Sequence, residues 1–312
     1  LASPPRQTRL WIRLPNWLGD VIILLPILRA IRRGRPDAEL TLVGRAAFLP
    51  LLESWAVADR TLPLPARGPG YWRHFRAFGH EHPDCWLLFT NSFRGDLEAW
   101  LTGCRQRFGI VRPARPRPLL SHRYPVPPDY DESAHHQLEL WEGFVRHFGL
   151  AEPLDRSPLA EPPPSPQELR LGLIPGSENS PEKRWPVAHW RALIAARPET
   201  RFAILGTAND RPIAEAVAAG QDPARVENLA GRTSLPEFAA ELRRCSLLVT
   251  NDTGGMHLAN ALGVPVLALF GPTNPVRTGP VFSAPATILQ PPGTPASGGG
   301  VLTNLTPASV LA

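Results

Sequence analysis

The sequence is poor in everything that would tie it to a membrane span, a disulfide framework or a metal. Its cysteines, Cys85, Cys104 and Cys245, are odd in number and widely spaced, so they form neither a disulfide framework nor a zinc pattern. Free thiols agree with a reducing cytoplasm. No apolar run approaches the roughly 20 residues that span a bilayer, and Leu1 to Arg9 holds no apolar segment of the kind that serves as a signal peptide. A cytoplasmic protein is therefore expected. There is no Gly-x-Gly-x-x-Gly after the first strand, which speaks against a dinucleotide-binding oxidoreductase. A Walker A loop and a Gly-x-Ser-x-Gly elbow are missing too, against P-loop phosphoryl transfer and an α/β-hydrolase. His135 and His136 have no acidic partner at metal spacing, and no metal site is expected. Basic residues do not interleave with aromatics in a stripe, so no nucleic-acid partner is expected.

What is present is a 312-residue chain, long enough for two domains of roughly 150 residues each. Lys+Arg number 33 against 28 Asp+Glu, and this +5 excess fits an anionic substrate or an anionic membrane surface. Arginine greatly outnumbers lysine and proline is abundant, which equally fits a high-GC coding bias. The first half reads as βα units, with strands over 9–14, 39–43, 85–89 and 106–111. A helix over 20–33 contains Pro26, which should kink it or limit its first turn. Leu138, Leu140, Trp141, Phe144, Val145 and Phe148 recur at helical spacing and predict an amphipathic helix over 132–148, with His135 and His136 as ordinary helix residues. From 151 to 167 the composition shifts to Pro, Ser and acidic residues, and Pro162-Pro163-Pro164 cannot join a sheet. The domains are thus read as 1–155 and 169–312, joined by a linker over 156–168.

The second half starts a new βα array, with strands over 169–174, 201–205, 247–249 and 264–270. Helices are predicted over 187–196, 234–244 and 256–262. Ser234 with Glu237 forms a capping box, and Thr306-Pro307 opens a final helix that the chain end cuts short. The most telling stretch runs from Leu248 to Pro275. Two buried strands end there in small polar turns, Asn251-Asp252-Thr253-Gly254-Gly255 and Gly271-Pro272-Thr273-Asn274-Pro275. Ligands of parallel sheets sit at the carboxyl ends of strands. A helix opening on Thr-Gly-Gly offers free N–H groups and a positive dipole end to an anion. A phosphate-bearing ligand, a nucleotide, fits this pattern.

Several side chains face two readings at this level. Asp20 is either the N-cap of the first helix or a general base for an acceptor hydroxyl. Lys183 and Arg184 are either solvated cations or a clamp that neutralises a diphosphate leaving group, with Ser177 and Ser180 adding hydrogen bonds. Asp252 either caps the helix after it, or binds a ribose hydroxyl or orients the backbone. Thr253, Gly254 and Gly255 suit a phosphate turn, His257 falls in the first turn of that helix, and Asn209 and Asp210 end a neighbouring strand.

Four motifs in order carry a resemblance: Pro15-Asn16-Trp17-Leu18-Gly19-Asp20; Asn91-Ser92-Phe93-Arg94; the loop from Gly176 to Pro186 with Lys183-Arg184-Trp185-Pro186; and Asn251-Asp252-Thr253-Gly254 followed by Met256-His257 and Phe270-Gly271-Pro272-Thr273. The chain resembles the bacterial heptosyltransferases of glycosyltransferase family 9, of the lipopolysaccharide heptosyltransferase II type. The resemblance implies an α/β GT-B fold, two Rossmann-like domains facing across a cleft. It implies inverting transfer from ADP-heptose to a lipopolysaccharide core acceptor, with no tightly bound cofactor or metal. Asp20 then matches the general base. Lys183 matches the lysine on the donor phosphates, and Asp252, Thr253, Gly254 and His257 match the donor-binding turn. Asn16, Trp17 and Arg94 are expected toward the acceptor. A monomer touching the inner membrane surface transiently is expected. The alternatives are another sugar-nucleotide enzyme of this fold, for a different sugar or an epimerase, and a non-catalytic nucleotide-sugar-binding protein. Three departures stand out. Gly255 replaces a bulkier residue, predicting a looser turn. The Gly298–Gly300 run is atypical. The final helix, which in this fold class packs back on the N-domain, is short.

Overall fold

The computed structural model describes residues 7–161, 169–178 and 180–311; most of Leu1–Arg9, the Pro162-Pro163-Pro164 run and Asn179 lie outside the described residues. The chain forms two compact units, Leu1–Asp131 with Leu138–Asp155, and Glu132–Gln137 with Arg156–Ala312.

The first unit contains β1 (Arg9–Arg13), α1 (Leu18–Gly34), β2 (Glu39–Gly44), α2 (Leu49–Ser54), β3 (Arg60–Pro63), α3 (Tyr71–Phe78), β4 (Cys85–Leu88), α4 (Phe93–Leu101), β5 (Gln106–Val111), β6 (His122–Pro125) and α5 (Gln137–His147). Its strands pair in parallel in the order β3-β2-β1-β4-β5-β6. Helices cover both faces of such a sheet, so its central strands are near-continuous apolar runs. Trp11, Ile12, Trp86 and Leu87 are accordingly buried. Trp11 and Trp86 pack with ring centroids 5.2 Å apart, and Tyr71 and Phe75 of α3 join the same core.

The second unit repeats the plan. It contains β7 (Arg170–Ile174), α6 (Val187–Ala195), β8 (Arg201–Ile204), α7 (Arg211–Ala218), β9 (Val226–Asn228), α8 (Leu235–Arg243), β10 (Leu247–Asn251), α9 (Gly254–Ala261), β11 (Val266–Leu269), α10 (Pro275–Thr278), β12 (Ala286–Leu289) and α11 (Pro307–Leu311). The order is β12-β11-β10-β7-β8-β9, again all parallel. In each sheet the strand order reverses once, between β1 and β4 and between β7 and β10. Doubly wound sheets bind ligands beside such a switch point, at the carboxyl ends of the strands. The Asn16-to-Asp20 and Asn91-to-Arg94 motifs flank the first switch point. The Gly176 loop and the Asn251 turn flank the second.

The structure corrects several expectations. Pro26 lies in the middle of an uninterrupted 17-residue α1 and does not end its first turn. The helix read over 132–148 begins only at Gln137, so His135 and His136 precede it. The reason is long-range. Arg277 donates to the Glu132 carbonyl and carboxylate and to the Gln137 side chain, while Asn274 donates to the Ser133 carbonyl. These bonds place residues 132–137 in the second unit rather than the first. The described part of the expected linker, 156–161, also belongs to the second unit, through bonds from the Ser283 amide to the Arg156 carbonyl and from the Leu159 amide to the Ala261 carbonyl. The final helix, α11, packs on α6 within its own unit, with Val310 in the core. Gly255 does not loosen its turn. A Cβ there would overlap Ile174 and crowd Phe238, so the missing side chain lets α9 sit close to β7 and α8. Gly298 has φ +89°, and a Cβ would strike the Thr273 carbonyl. The glycine run thus lies directly on the Gly271–Pro275 turn, with the amides of Gly299 and Gly300 donating to the Gly271 carbonyl. The three cysteines are buried, and burial pushes Cys85 up to about 12 and Cys245 up to about 11, as expected for core thiols.

Asp96 of α4 is fully buried and accepts from the Arg117 Nε at 3.0 Å, while Arg117 also donates to the Ile110 carbonyl at 2.9 Å. Removing one partner strands the other charge in the core, at a cost of roughly 3–5 kcal/mol. Asp96→Ala should lower stability in urea by about that amount, and Asp96→Ala with Arg117→Met should recover most of it. Equal stability of Asp96→Ala and the native chain would refute the pairing.

Candidate active site

In the second unit the site is assembled by a residue the sequence reading did not single out. Asn251, at the end of β10, is fully buried. Its carboxamide donates to the Pro175 and Gly176 carbonyls at 2.9 and 3.2 Å and accepts from the Trp185 amide at 3.1 Å. One side chain therefore clasps both ends of the 175–185 loop at the switch point. Trp185, also fully buried, donates through its indole to the Leu305 carbonyl at 2.7 Å and packs edge-on against Trp190. These contacts fix the exit of the loop at Trp185-Pro186.

Within the loop most polar groups are turned inward. Ser177, 2% exposed, donates its hydroxyl hydrogen to the Ser180 carbonyl at 2.5 Å. Arg184 donates to the Ser177 carbonyl at 3.0 Å. Ser177 and Arg184 thus bond within the loop. Lys183 differs. Its ammonium lies 2.9 Å from the Asp252 carboxylate, and both stay partly accessible. Lys183 is the only lysine in the chain. Asp252 does not cap the helix after it. Thr253 is the N-cap residue of α9 and its side chain makes no cap bond, so its hydroxyl leaves the first amides of that helix uncovered. The ion pair and the amino end of α9 thus lie side by side, one residue apart along the chain.

His257 is 4% exposed, and its Nδ1 has no hydrogen-bond partner. Burial, reinforced by His136 and Lys183 and opposed by Asp252, pushes it down to about 4. At neutral pH it carries no charge and adds no cation to the turn. After β8 the expected pair divides. Asp210 is buried and accepts from the Thr207 amide and hydroxyl as a capping box, whereas Asn209 is exposed on the same turn.

At the switch point of the first unit, Trp17 is the N-cap of α1 and Asp20 its third residue. Asp20 is therefore not the N-cap. It lies half-buried in the first turn, where the helix dipole favours a carboxylate. Asn16 accepts from buried Arg13 at 3.1 Å, and Arg45 donates to the Asn16 carbonyl at 3.2 Å. Arg13 also donates to Glu98 at 2.7 Å, and Glu98 in turn accepts from the Tyr71 hydroxyl. Burial and this bond push Tyr71 upward. Arg94 is exposed, with its guanidinium 6.0 Å from the Tyr71 ring. Ser92 caps α4 by accepting from the Gly95 amide. Arg13, Glu98 and Tyr71 escaped the sequence reading because only the fold joins them. Among the described residues no group of three His, Cys, Asp or Glu stands together as a metal site.

Two doubly wound parallel sheets with polar turns at their switch points are the architecture of the GT-B glycosyltransferases. The chain belongs to glycosyltransferase family 9 (heptosyltransferase), whose family model matches residues 71–292. It is 28% identical over 307 residues to lipopolysaccharide heptosyltransferase 2 of Salmonella typhimurium, covering 86% of this chain and 84% of that protein. It is 31% identical over 286 residues to lipopolysaccharide heptosyltransferase 1 of Pseudomonas aeruginosa, covering 84% and 78%. Its fold matches that of Escherichia coli ADP-heptose lipopolysaccharide heptosyltransferase II with a TM-score of 0.82 at 24% identity, over 97% and 96% of the two chains. The protein is a glycosyltransferase.

The depressed pKa of His257 has a thermodynamic consequence. Between about 6.5, the unperturbed value, and about 4, the value in the fold, the unfolded chain binds the proton more readily. Stability is complete above this window and falls as pH drops through it, by about 3 kcal/mol at most. His257→Gln should flatten the dependence of the melting temperature on pH across this window. An unchanged slope would show that other groups govern acid sensitivity.

Proposed function

We propose that the protein transfers a heptose from ADP-heptose to a hydroxyl of the lipopolysaccharide inner core, with inversion at the anomeric carbon. The observation that carries this reading is the single lysine, Lys183, held on the Asp252 carboxylate beside the amino end of α9. The donor diphosphate lies against Lys183 and the amides of Thr253, Gly254 and Gly255, where a compact cation and a helix amino end both favour an anion. Asn209 and Ser180 line the same ligand. Asp252 positions Lys183, and neutral His257 adds a hydrogen bond without charge. Ser177 acts through the loop and not on the phosphate.

Asp20 accepts the proton of the acceptor hydroxyl as its oxygen bonds to the anomeric carbon. The bond from that carbon to the donor phosphate breaks, and ADP leaves with a negative charge that Lys183 and the α9 amides stabilise. Asn16, Trp17 and Arg94 hold the acceptor, whose acidic groups suit Arg94 and Arg45, the latter bonded to the Asn16 carbonyl. With the leaving charge borne by Lys183 and backbone amides, this scheme routes no step through a metal. The reaction belongs on the cytoplasmic face of the inner membrane, where an ADP-sugar is available.

Asp20→Asn should slow transfer by about two to four orders of magnitude while calorimetry finds ADP-heptose binding nearly unchanged. Normal turnover in that variant would remove Asp20 as the base. Lys183→Met should weaken ADP-heptose binding about ten- to a hundredfold, the worth of a charge-assisted hydrogen bond, and leave UDP and GDP as poor ligands. Tighter binding of UDP or GDP than ADP by the native protein would keep the fold and overturn the donor.

A further inference from the structure

Beside Trp17 and Arg94, which the acceptor reading uses, the outer surface of the first unit carries aromatic and basic side chains that neither the donor nor the acceptor reading uses. Four large hydrophobic side chains of this unit are exposed among the described residues, and all are aromatic: Trp17, Trp72, Phe93 and Trp100. Three of them lie on α3 and α4. These helices cover the same face of the sheet, because Tyr71 and Phe75 of α3 and Ala99 of α4 enter one core with Trp11 and Trp86. They also run side by side. Tyr71 meets Glu98 at one end, and at the other a Cβ on Gly79 would crowd the Thr102 carbonyl. Their outward sides therefore form one surface.

Charge on this surface is sorted by sign. From Leu64 to His80 there is no acidic residue, while Arg67, Arg73 and Arg76 are exposed beside Trp72, which is 38% exposed. On α4 both acidic residues, Asp96 and Glu98, are fully buried and paired with Arg117 and Arg13. What α4 shows outward is Phe93, Arg94 and Trp100, the last 48% exposed. Tryptophan beside arginine, with carboxylates withdrawn, is the chemistry of a membrane interface. The rings settle at headgroup level and the cations attract anionic lipid.

We propose that this α3–α4 surface docks the enzyme on an anionic phospholipid bilayer, through Trp72, Trp100, Arg73 and Arg76. The inference deepens the acceptor reading and rests on it for its purpose, since an enzyme that glycosylates a lipid anchored in a bilayer must work at that bilayer. The docking itself requires no acceptor.

Co-sedimentation of the full chain with acceptor-free vesicles tests it. The native protein should bind phosphatidylcholine vesicles containing phosphatidylglycerol, bind pure phosphatidylcholine weakly, and detach at high salt. Arg73→Gln with Arg76→Gln should lower partitioning about twenty- to thirtyfold, or roughly fivefold per residue. Trp72→Ser with Trp100→Ser should lower it roughly tenfold. Both pairs should bind ADP normally and act normally on a delipidated, soluble acceptor, which separates docking from folding and from the transfer reaction. Binding equal to the native protein in either variant, or no preference for phosphatidylglycerol, would overturn the proposal. So would self-association of the native chain without vesicles that the tryptophan variant abolishes, since the surface would then join two copies. Failure of ADP or acceptor use with vesicle binding intact would instead overturn the function and leave the docking surface standing.

Discussion

The buried carboxamide of Asn251 is the constraint on which the switch point of the second unit depends. It leaves β10 at the point where the strand order reverses. There it meets two carbonyls from the end of β7 and the amide of Trp185, satisfying all three partners at once. A buried backbone amide or carbonyl without a partner would cost about 1–3 kcal/mol, so the loop has little freedom to rearrange around this side chain. With both ends pinned, Ser177 donates to the Ser180 carbonyl and Arg184 donates back to the Ser177 carbonyl. Lys183 is then left where Asp252, the very next residue after Asn251, meets it. The position of the one lysine ammonium in the protein is thus set by a neutral amide that never touches it.

The first unit solves the same topological problem with charge rather than amides. Its switch point is built on Arg13, buried beneath Asn16 and neutralised by Glu98, with Tyr71 completing the carboxylate. A buried ion pair gains specificity at the expense of desolvation and needs extra hydrogen bonds to hold. Here Arg13 has the Leu14 carbonyl and Asn16 as well, so each partner is well supplied. The same choice has an effect at a distance. Because Glu98 and Asp96 face inward to their arginines, the outer side of α4 is free of negative charge. The internal pairing and the basic, aromatic exterior are two sides of one helix.

Much of this could be read along the chain, for a clear reason. Strands buried on both faces must be apolar throughout, so β1, β2, β4, β5, β7, β8 and β10 show as runs, and the polar turns that end them mark switch points. The capping box at Ser234 and Glu237 is local chemistry and was legible to the residue. What failed were features decided by contacts remote in sequence. Gln137 rather than Glu132 opens α5 because Arg277 and Asn274 draw the intervening carbonyls away. Asn251, the first letter of a turn whose second and third letters drew attention, gave no sign of being the clasp. Gly255 read as slack, yet the helix needs that space to approach Ile174. The short α3, with only Tyr71 and Phe75 buried, has too little periodicity to stand out.

The remaining question is why lysine stands at 183 in a chain that otherwise uses arginine for every permanent side-chain cation. Arginine here serves structure. The planar guanidinium of Arg117 grips both oxygens of Asp96, Arg277 binds a carbonyl, a carboxylate and an amide oxygen together, and Arg184 anchors a loop carbonyl. A guanidinium fork holds several acceptors in one fixed plane, which suits permanent bonds. The diphosphate of the proposed donor, which would arrive, change charge and leave, would make a different demand. An ammonium is a compact point charge on a flexible stem, with three donors that turn freely. It can keep one hydrogen bond to Asp252 while offering the others to a new anion. An arginine at 183 would tend toward bidentate pairing with the same carboxylate and would be less available to the ligand. With arginine at every other Lys/Arg position, the single lysine is the more informative. Position 183 thus holds the one side-chain cation whose geometry would permit exchange between the Asp252 carboxylate and the phosphate of the proposed donor.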